Sequence, residues 1–255
     1  MKQLLIANWK MYLSFEQSVA LATQCATVFK NHADALSLVI CPSFESIAAV
    51  VQAVKGSGIA IGAQNCAPAL RGPYTGQVSA LNVAELGCAY CIIGHTEQRT
   101  LYADFETVLR SQLTCVLDAR LTPIVCIGET AQERHATKAI VERVIRAQLQ
   151  SIANVVRAHT QSTSLCIAYE PAWAIGAAQM PEPSTLNERI QLIRELIAQE
   201  LPQGIQARLL YGGAVDAHSG TLSSYPVLDG FLVGRATTDF QSFQKIVLSM
   251  HRFCE

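Results

Sequence analysis

Short apolar segments alternate with longer amphipathic segments eight times along the chain. The apolar segments are four to six residues long, and most of them lack polar side chains on either face. Such segments are typical of strands buried on both faces of a parallel sheet. They are Leu4–Asn8, Leu38–Cys41, Ile59–Ala63, Tyr90–Gly94, Pro123–Gly128, Leu165–Ala168, Ala207–Tyr211 and Leu228–Val233.

A helical segment follows each predicted strand. Ser14-x-x-Gln17 predicts a capping box for a helix that runs to about Lys30, and Ser43 is predicted to cap the next helix. Thr185-x-x-Glu188 opens the sixth helix. The segments predicted as helices after the first are Phe44–Lys55, Ser79–Leu86, Ala103–Arg120, Gln132–His159, Thr185–Glu200, Asp216–Ser224 and Phe240–Phe253.

Eight parallel strands, each followed by a helix, close into a barrel. We therefore predict an α/β protein, a single-domain (β/α)8 barrel with parallel strands over residues 1–255, which no linker interrupts. The alternative is an open, doubly wound sheet. That fold usually carries G-x-G-x-x-G after its first strand, where this chain has Asn8-Trp9-Lys10.

Composition limits the classes of partner. The net charge is −1, so no broad basic surface attracts nucleic acid or anionic lipid. No apolar run approaches the roughly 18 residues that cross a membrane. We expect no signal peptide, since the apolar run near the N-terminus covers only Leu4 to Ala7. Nine scattered cysteines predict reduced thiols in the cytoplasm. Cys88-x-x-Cys91 lacks the strand–helix setting of a redox or metal motif.

Polar residues collect where the predicted strands end. These are Asn8, Lys10, Gln64, Asn65, Gly94-His95-Thr96-Glu97, Gly128-Glu129, Glu170, Tyr211-Gly212-Gly213 and Gly234-Arg235. In a barrel the carboxyl ends of all strands share one rim, so we expect these residues to converge. Pro171 holds Glu170 away from helical geometry at the end of its strand. The pattern predicts an acid–base site.

Five segments match one family in order and spacing: Ala7-Asn8-Trp9-Lys10-Met11, Gly94-His95-Thr96-Glu97, Cys126-Ile127-Gly128-Glu129, Ala168 to Gly176, and Tyr211-Gly212-Gly213. Through them the chain resembles the triosephosphate isomerase family over its whole length. That family has the TIM barrel fold, and it is itself the usual example of a tuned acid–base pair and of a closing lid.

The resemblance implies a mechanism without cofactor or metal. Glu170 moves a proton between two carbons of a small phosphorylated triose, and neutral His95 polarises the substrate oxygens. Lys10 offsets the charge of the enediolate, Asn8 orients the oxygens, and Glu97 pairs with Lys10. The alternatives are an isomerase of a longer sugar phosphate, such as a tetrulose phosphate, and a catalytically silent barrel kept for binding.

The resemblance also implies that the substrate phosphate is bound by the backbone at Gly176, Ala214, Gly234 and Arg235, beside Asn8 and Lys10. A lid would run from Pro171 to about Pro183, with Trp173 in its first hinge. A homodimer would form through the loop Gln64–Gln77.

Several residues depart from the family pattern. Ala177-Ala178-Gln179-Met180 replaces Thr-Gly-Lys-Thr, Ala214 replaces Ser, Arg235 replaces Gly, and Thr96 replaces Ser. Gln77 and Gln98 replace an acid and an arginine that commonly pair across the dimer interface. The Arg235 guanidinium either reaches the phosphate or points to solvent, and the sequence leaves both readings open.

Overall fold

The structure of the protein is a computed structural model. It describes residues 2–130, 133, 137–159, 164–171, 174, 183–215, 225 and 227–251. Its strands form a closed parallel barrel in the order of the chain, with β8 paired back to β1. This confirms the predicted (β/α)8 fold. The strands are β1 Gln3–Asn8, β2 Leu36–Cys41, β3 Ala60–Ala63, β4 Tyr90–Ile93, β5 Thr122–Ile127, β6 Ser164–Tyr169, β7 Gln206–Tyr211 and β8 Gly230–Val233.

The helices surround the barrel. They are α1 Phe15–Phe29, α2 Ile47–Ala53, α3 Ala80–Glu85, α4 Thr96–Arg99, α5 Phe105–Asp118, α6 Lys138–Arg157, α7 Pro183–Glu200 and α8 Phe240–His251. Short 3₁₀ turns cover Phe44–Ser46 and Arg235–Thr237. The helix predicted over Asp216–Ser224 lies outside the described residues, as do most of the predicted lid and the residue Gln132.

Helix capping was predicted correctly at one site and wrongly at another. Ser14 Oγ accepts a hydrogen bond from the Gln17 amide at 3.2 Å, and Gln17 Oε1 accepts one from the Ser14 amide at 2.9 Å. Ser43 makes no such bond to the turn that follows it. Its hydroxyl instead donates to the carbonyl of Lys10 at 2.9 Å, so it links the turn after β2 to the mouth of the barrel.

The barrel interior is apolar. Small and branched side chains fill it, namely Leu4, Ile6, Val39, Cys41, Ile92, Ile124, Cys126, Cys166, Ala168, Leu210 and Leu232. Gly230 allows the barrel to close, because a Cβ atom there would overlap the carbonyl of Leu4 on β1. A larger apolar cluster lies between the strands and the helices. This packed core leaves the polar strand ends at the rim.

Among the described residues, no helix is long and apolar enough to cross a membrane. Eight cysteines are described, and all of them are buried free thiols. Burial raises the pKa of Cys25 and of Cys88 to about 12 and that of Cys115 to about 11. These thiols are therefore protonated at neutral pH and pack as small apolar side chains.

Candidate active site

Lys10 follows β1 in a backbone conformation that is unusual for a residue with a side chain, with φ +49°. Its amide donates to Asn8 Oδ1 at 3.2 Å. Its carbonyl accepts from Ser43 Oγ and from Gln64 Nε2, each at 2.9 Å. These bonds offset the cost of the conformation and point the side chain across the barrel mouth. The sequence identified Gln64 as a strand-end residue but did not indicate this role.

The Lys10 ammonium reaches the residues that follow β4. Its Nζ donates to Glu97 Oε1 at 2.6 Å. The Lys10 side chain is 20% exposed and that of Glu97 is 56% exposed, so the pair lies at the border of the cavity. The contact expected between these residues is present, and it ties β1 to α4.

His95 is the N-cap of α4. Its Nδ1 accepts a hydrogen bond from the amide of Glu97 at 3.3 Å. A nitrogen that accepts cannot carry the proton, so this bond favours the neutral imidazole with its proton on Nε2. Nε2 lies 3.4 Å from Glu170 Oε1. His95 is 7% exposed, so little water competes for this contact.

Glu170 is a buried carboxylate, 1% exposed, directly after β6. Its Oε2 accepts two hydrogen bonds from Thr96, from the amide at 3.1 Å and from the hydroxyl at 3.2 Å. Its Oε1 accepts no hydrogen bond within the described part of the chain. Gly212 leaves room for this side chain, since a Cβ atom there would lie 2.7 Å from Glu170 Cγ. Sequence analysis identified Thr96 but did not predict this contact.

A neutral thiol lies near Glu170, and a second buried carboxylate binds the residue that precedes it. Burial, followed by the charge of Glu170, raises the pKa of Cys126 well above its usual range. Glu129 is 1% exposed and accepts from the Tyr169 hydroxyl at 3.0 and 3.1 Å. Burial, and then this carboxylate, raises the pKa of Tyr169, so the hydroxyl stays protonated and donates.

Of the four residues whose backbone is predicted to bind phosphate, the structure describes three. Gly234 lies beside Lys10, since a Cβ atom on it would be 3.4 Å from Lys10 Cε and 3.9 Å from Nζ. Arg235 is exposed, and its guanidinium carbon lies 5.9 Å from the centre of the Tyr12 ring. The Ala214 amide donates to the carbonyl of Ala174 at 3.1 Å.

The other predicted phosphate and lid residues are not described. Gly176, Trp173 and Ala177 to Met180 all lie outside the described residues.

A cavity of about 460 Å³ opens beside the site. Most of its lining is polar and includes Asn8, Lys10, His95 and Glu97. Its apolar lining consists of Met11, Leu13 and Phe44. Glu170 does not line the cavity but contacts His95, which does. In the described ranges, no three His, Cys, Asp or Glu side chains come together as a metal site would require.

The two glutamines that replace charged residues differ in their surroundings. Gln98 accepts from Asn65 Nδ2 at 3.2 Å, and Asn65 Oδ1 in turn accepts from Gln112 Nε2 at 3.0 Å. A chain of neutral amides thus supports the loop after β3. Gln77 is exposed, and its backbone amide donates to the carbonyl of Tyr74 at 3.0 Å.

A buried carboxylate facing a neutral imidazole at the C-terminal mouth of a (β/α)8 barrel defines a class: barrel enzymes that work by moving protons. Comparison with known proteins identifies the family within this class. The family model described as Triosephosphate isomerase matches residues 3–250. The chain belongs to the triosephosphate isomerase family.

Several relatives that share the name Triosephosphate isomerase match nearly end to end. The one from Aquifex aeolicus is 34% identical over 251 residues, which cover 98% of this chain and 100% of the relative. The one from Hahella chejuensis is 35% identical over 248 residues, 96% of this chain and 97% of the relative. The one from Bacteroides fragilis is 34% identical over 249 residues, which cover 96% of this chain and 98% of the relative.

Proposed function

We propose that this chain interconverts dihydroxyacetone phosphate and D-glyceraldehyde 3-phosphate by proton transfer through an enediolate. The single observation that carries the proposal is the contact of His95 Nε2 with Glu170 Oε1 at 3.4 Å in a buried site. A base and a hydrogen-bond donor at this separation can act on neighbouring atoms of one small substrate. Membership of the family supports the same substrate.

In the proposed reaction, Glu170 takes a proton from the carbon next to the substrate carbonyl. Oε1 is the suitable oxygen, since Oε2 is already bound to Thr96. The electron pair of the broken C–H bond forms the C=C bond of the enediolate, and the π pair of the carbonyl moves onto its oxygen, to which His95 Nε2–H donates. His95 transfers the hydroxyl proton of the neighbouring carbon to that oxygen. Glu170 then returns its proton to the former carbonyl carbon, and the neighbouring C–O becomes the new carbonyl. No group outside the substrate is oxidised or reduced.

Cationic and amide groups have supporting roles in this proposal. The Lys10 ammonium stabilises the negative charge of the enediolate, and Glu97 orients it through the 2.6 Å contact. Asn8 orients the substrate oxygens. The phosphate is bound by backbone amides of Gly176, Ala214, Gly234 and Arg235, and the Ala214 amide must first leave the carbonyl of Ala174.

Isotope exchange tests the reaction. Wild-type protein is incubated in heavy water with the triose phosphates and, separately, with a tetrulose phosphate. Deuterium entering the triose phosphate supports the proposal. Exchange only into the tetrose phosphate would indicate an isomerase of longer sugars, and exchange into neither would indicate a binding protein. Glu170→Gln should abolish exchange, with kcat lower by about 10²- to 10⁴-fold and KM nearly unchanged.

We also propose that the protein is a cytoplasmic homodimer that associates through the loop Gln64–Gln77. Several large apolar side chains are exposed, and they include Met11, which is 91% exposed and lines the cavity, and Tyr74, which lies in the loop and is 41% exposed. Burial of such side chains against a second copy would stabilise association. The buried free thiols support a reducing compartment.

A further inference from the structure

The side chain of Arg99, the last residue of α4, joins the ends of two neighbouring strands. Its Nε donates to the carbonyl of Gly94 at 3.1 Å, immediately after β4. Its Nη1 donates to Gly128 and its Nη2 to Cys126, each at 3.0 Å, at the end of β5. A planar guanidinium can reach three acceptors in fixed directions, whereas a lysine ammonium cannot reproduce this fork.

The first of these bonds closes the turn that carries His95. Gly94 precedes His95, and Arg99 lies four residues after it, so the bond from Nε to Gly94 ties both ends of the turn together. Within the turn, the amide of Glu97 sets the orientation of the imidazole through Nδ1. The guanidinium therefore fixes the backbone frame in which the imidazole is oriented.

The other two bonds reach the surroundings of Glu170. Gly128 packs against the Glu170 backbone so closely that a Cβ atom on Gly128 would lie 2.7 Å from the Glu170 carbonyl carbon. The Glu170 amide donates to the carbonyl of Ile127, between the two acceptors of Arg99, at 2.7 Å. Movement of this end of β5 would move the carboxylate with it.

The guanidinium is itself held in place. It is half-buried, and its central carbon lies 5.8 Å from the centre of the Phe105 ring of α5. The charges of Arg99 and Glu170 both act on the Cys126 thiol, with opposite effects on its pKa. The cation thus lies near the proposed base without contacting the cavity.

We propose that Arg99 is a positioning residue for proton transfer, because it fixes the His95 turn relative to the strand edge that carries Glu170. It would maintain the 3.4 Å separation of His95 Nε2 from Glu170 Oε1. The inference rests on the proposed function. A residue that only stabilised the fold would change the melting temperature and leave the turnover of folded protein intact. A positioning residue changes turnover, since a misplacement near 1 Å costs about 10²-fold.

The test compares Arg99→Ala and Arg99→Lys with wild-type protein. We expect both variants to fold, as judged by circular dichroism. Their kcat should fall by about 10- to 100-fold, with KM changed by less than about threefold, because positioning affects the transition state more than substrate binding. Ethylguanidinium added to Arg99→Ala should restore part of kcat, and ethylammonium at the same concentration should not.

Arg110→Ala is the matched control, because the exposed Arg110 donates to Thr107 on the surface of α5. It should keep wild-type kcat and should not respond to ethylguanidinium. A folded Arg99→Ala with wild-type kcat, or with equal rescue by both cations, would overturn the inference. If that variant does not fold, wild-type kcat in Arg99→Lys would overturn it. An inactive wild-type protein would reject the proposed function as well, whereas active but insensitive variants reject only the role of Arg99.

Discussion

Gly212 determines how closely the end of β7 approaches the proposed base. An added Cβ atom would lie 2.7 Å from Glu170 Cγ and 3.2 Å from Oε1, so Gly212→Ala must displace this carboxylate. The backbone of Gly212 does not have a positive φ, and alanine is therefore compatible with it. We expect kcat per folded molecule to fall by about 10- to 100-fold, and the overpacking also lowers the melting temperature. Steady-state kinetics and thermal unfolding measure the two effects.

Gly62→Ala is the matched control for that prediction. A Cβ atom on Gly62 in β3 would lie 2.7 Å from Cys41 Sγ, the same distance, but inside the barrel core. Overpacking of this kind costs about 1–3 kcal/mol of folding stability. The variant should therefore melt at lower temperature and keep the turnover of wild-type protein per folded molecule. Equal loss of turnover in both variants would contradict the specific effect at Gly212.

The sequence left open whether the Arg235 guanidinium reaches the phosphate or points to solvent. Its contact with Tyr12 favours the position in solvent. The guanidinium lies over the Tyr12 ring at 5.9 Å and is exposed. We therefore expect Arg235→Gly to change the inhibition constant of a two-carbon phosphate acid by less than about threefold. An exposed cation–π contact is worth only about 0.5–1 kcal/mol. Tyr12→Ala should also change this inhibition constant by less than about threefold. An inhibition constant that rises more than about tenfold in Arg235→Gly but not in Tyr12→Ala would indicate a direct bond from the guanidinium to the phosphate.

At the scale of single residues, the sequence predicted which side chains lie together at the site. It did not predict the backbone conformations and hydrogen bonds that hold them there. Lys10, His95 and Glu170 each follow an apolar strand, and closure of a barrel brings such positions to one rim. The positive φ of Lys10 and the bonds of Ser43 could not be predicted, because they depend on tertiary contacts between separate loops. Arg99 was missed for the same reason, since its three acceptors belong to different strand ends.

At the scale of elements, Glu200 joins the ends of two neighbouring helices. Its carboxylate, on the last residue of α7, accepts from Arg146 and from Gln150 at 3.1 Å, both on α6. Hydrogen bonds from Gln150 and then Arg146 lower the pKa of Glu200 in the folded protein. The contribution to stability is therefore present above the unfolded pKa, about 4.3, and is lost as pH falls through the lower folded pKa.

Glu200→Gln should accordingly be less stable than wild-type protein at pH 7 and nearly as stable near pH 3. Urea unfolding at several pH values measures the difference. The control is Glu195→Gln on the same helix, where the carboxylate accepts from Gln191 of α7 itself at 3.0 Å. Its difference from wild type should not change with pH in this way. A stability gap for Glu200→Gln that persists at pH 3 would contradict the linkage.

The order of strands and helices was predictable because local apolar periodicity determines it, and barrel closure then follows from eight repeats. Element ends were less predictable. The helix expected over Phe44–Lys55 is a 3₁₀ turn followed by a shorter helix that ends at Ala53. Ser43 was a suitable cap by residue type, but its hydroxyl binds the carbonyl of Lys10 instead. A long-range acceptor of this kind leaves no mark in the local sequence.

At the scale of the whole molecule, the proposed dimer depends on apolar contact instead of charge. The pair of charges that commonly bridges this interface in the family is replaced by Gln77 and Gln98, and Gln98 already has a partner, Asn65, in its own chain. We expect light scattering at micromolar concentration to give twice the mass of one chain. Tyr74→Asp should give the mass of a monomer, because a carboxylate in an apolar interface carries a large desolvation cost.

Leu248→Asp separates an effect on the interface from a general effect of the substitution. Leu248 lies on α8 and is 43% exposed, close to the 41% of Tyr74, so both positions add one charge to a half-exposed apolar site. Only Tyr74→Asp, the substitution in the loop Gln64–Gln77, should lower the mass measured by light scattering. A wild-type protein that is monomeric at micromolar concentration would refute the dimer. A dimer that Tyr74→Asp leaves intact would instead place the interface elsewhere, and the exposed side chain of Met11 would then need another role.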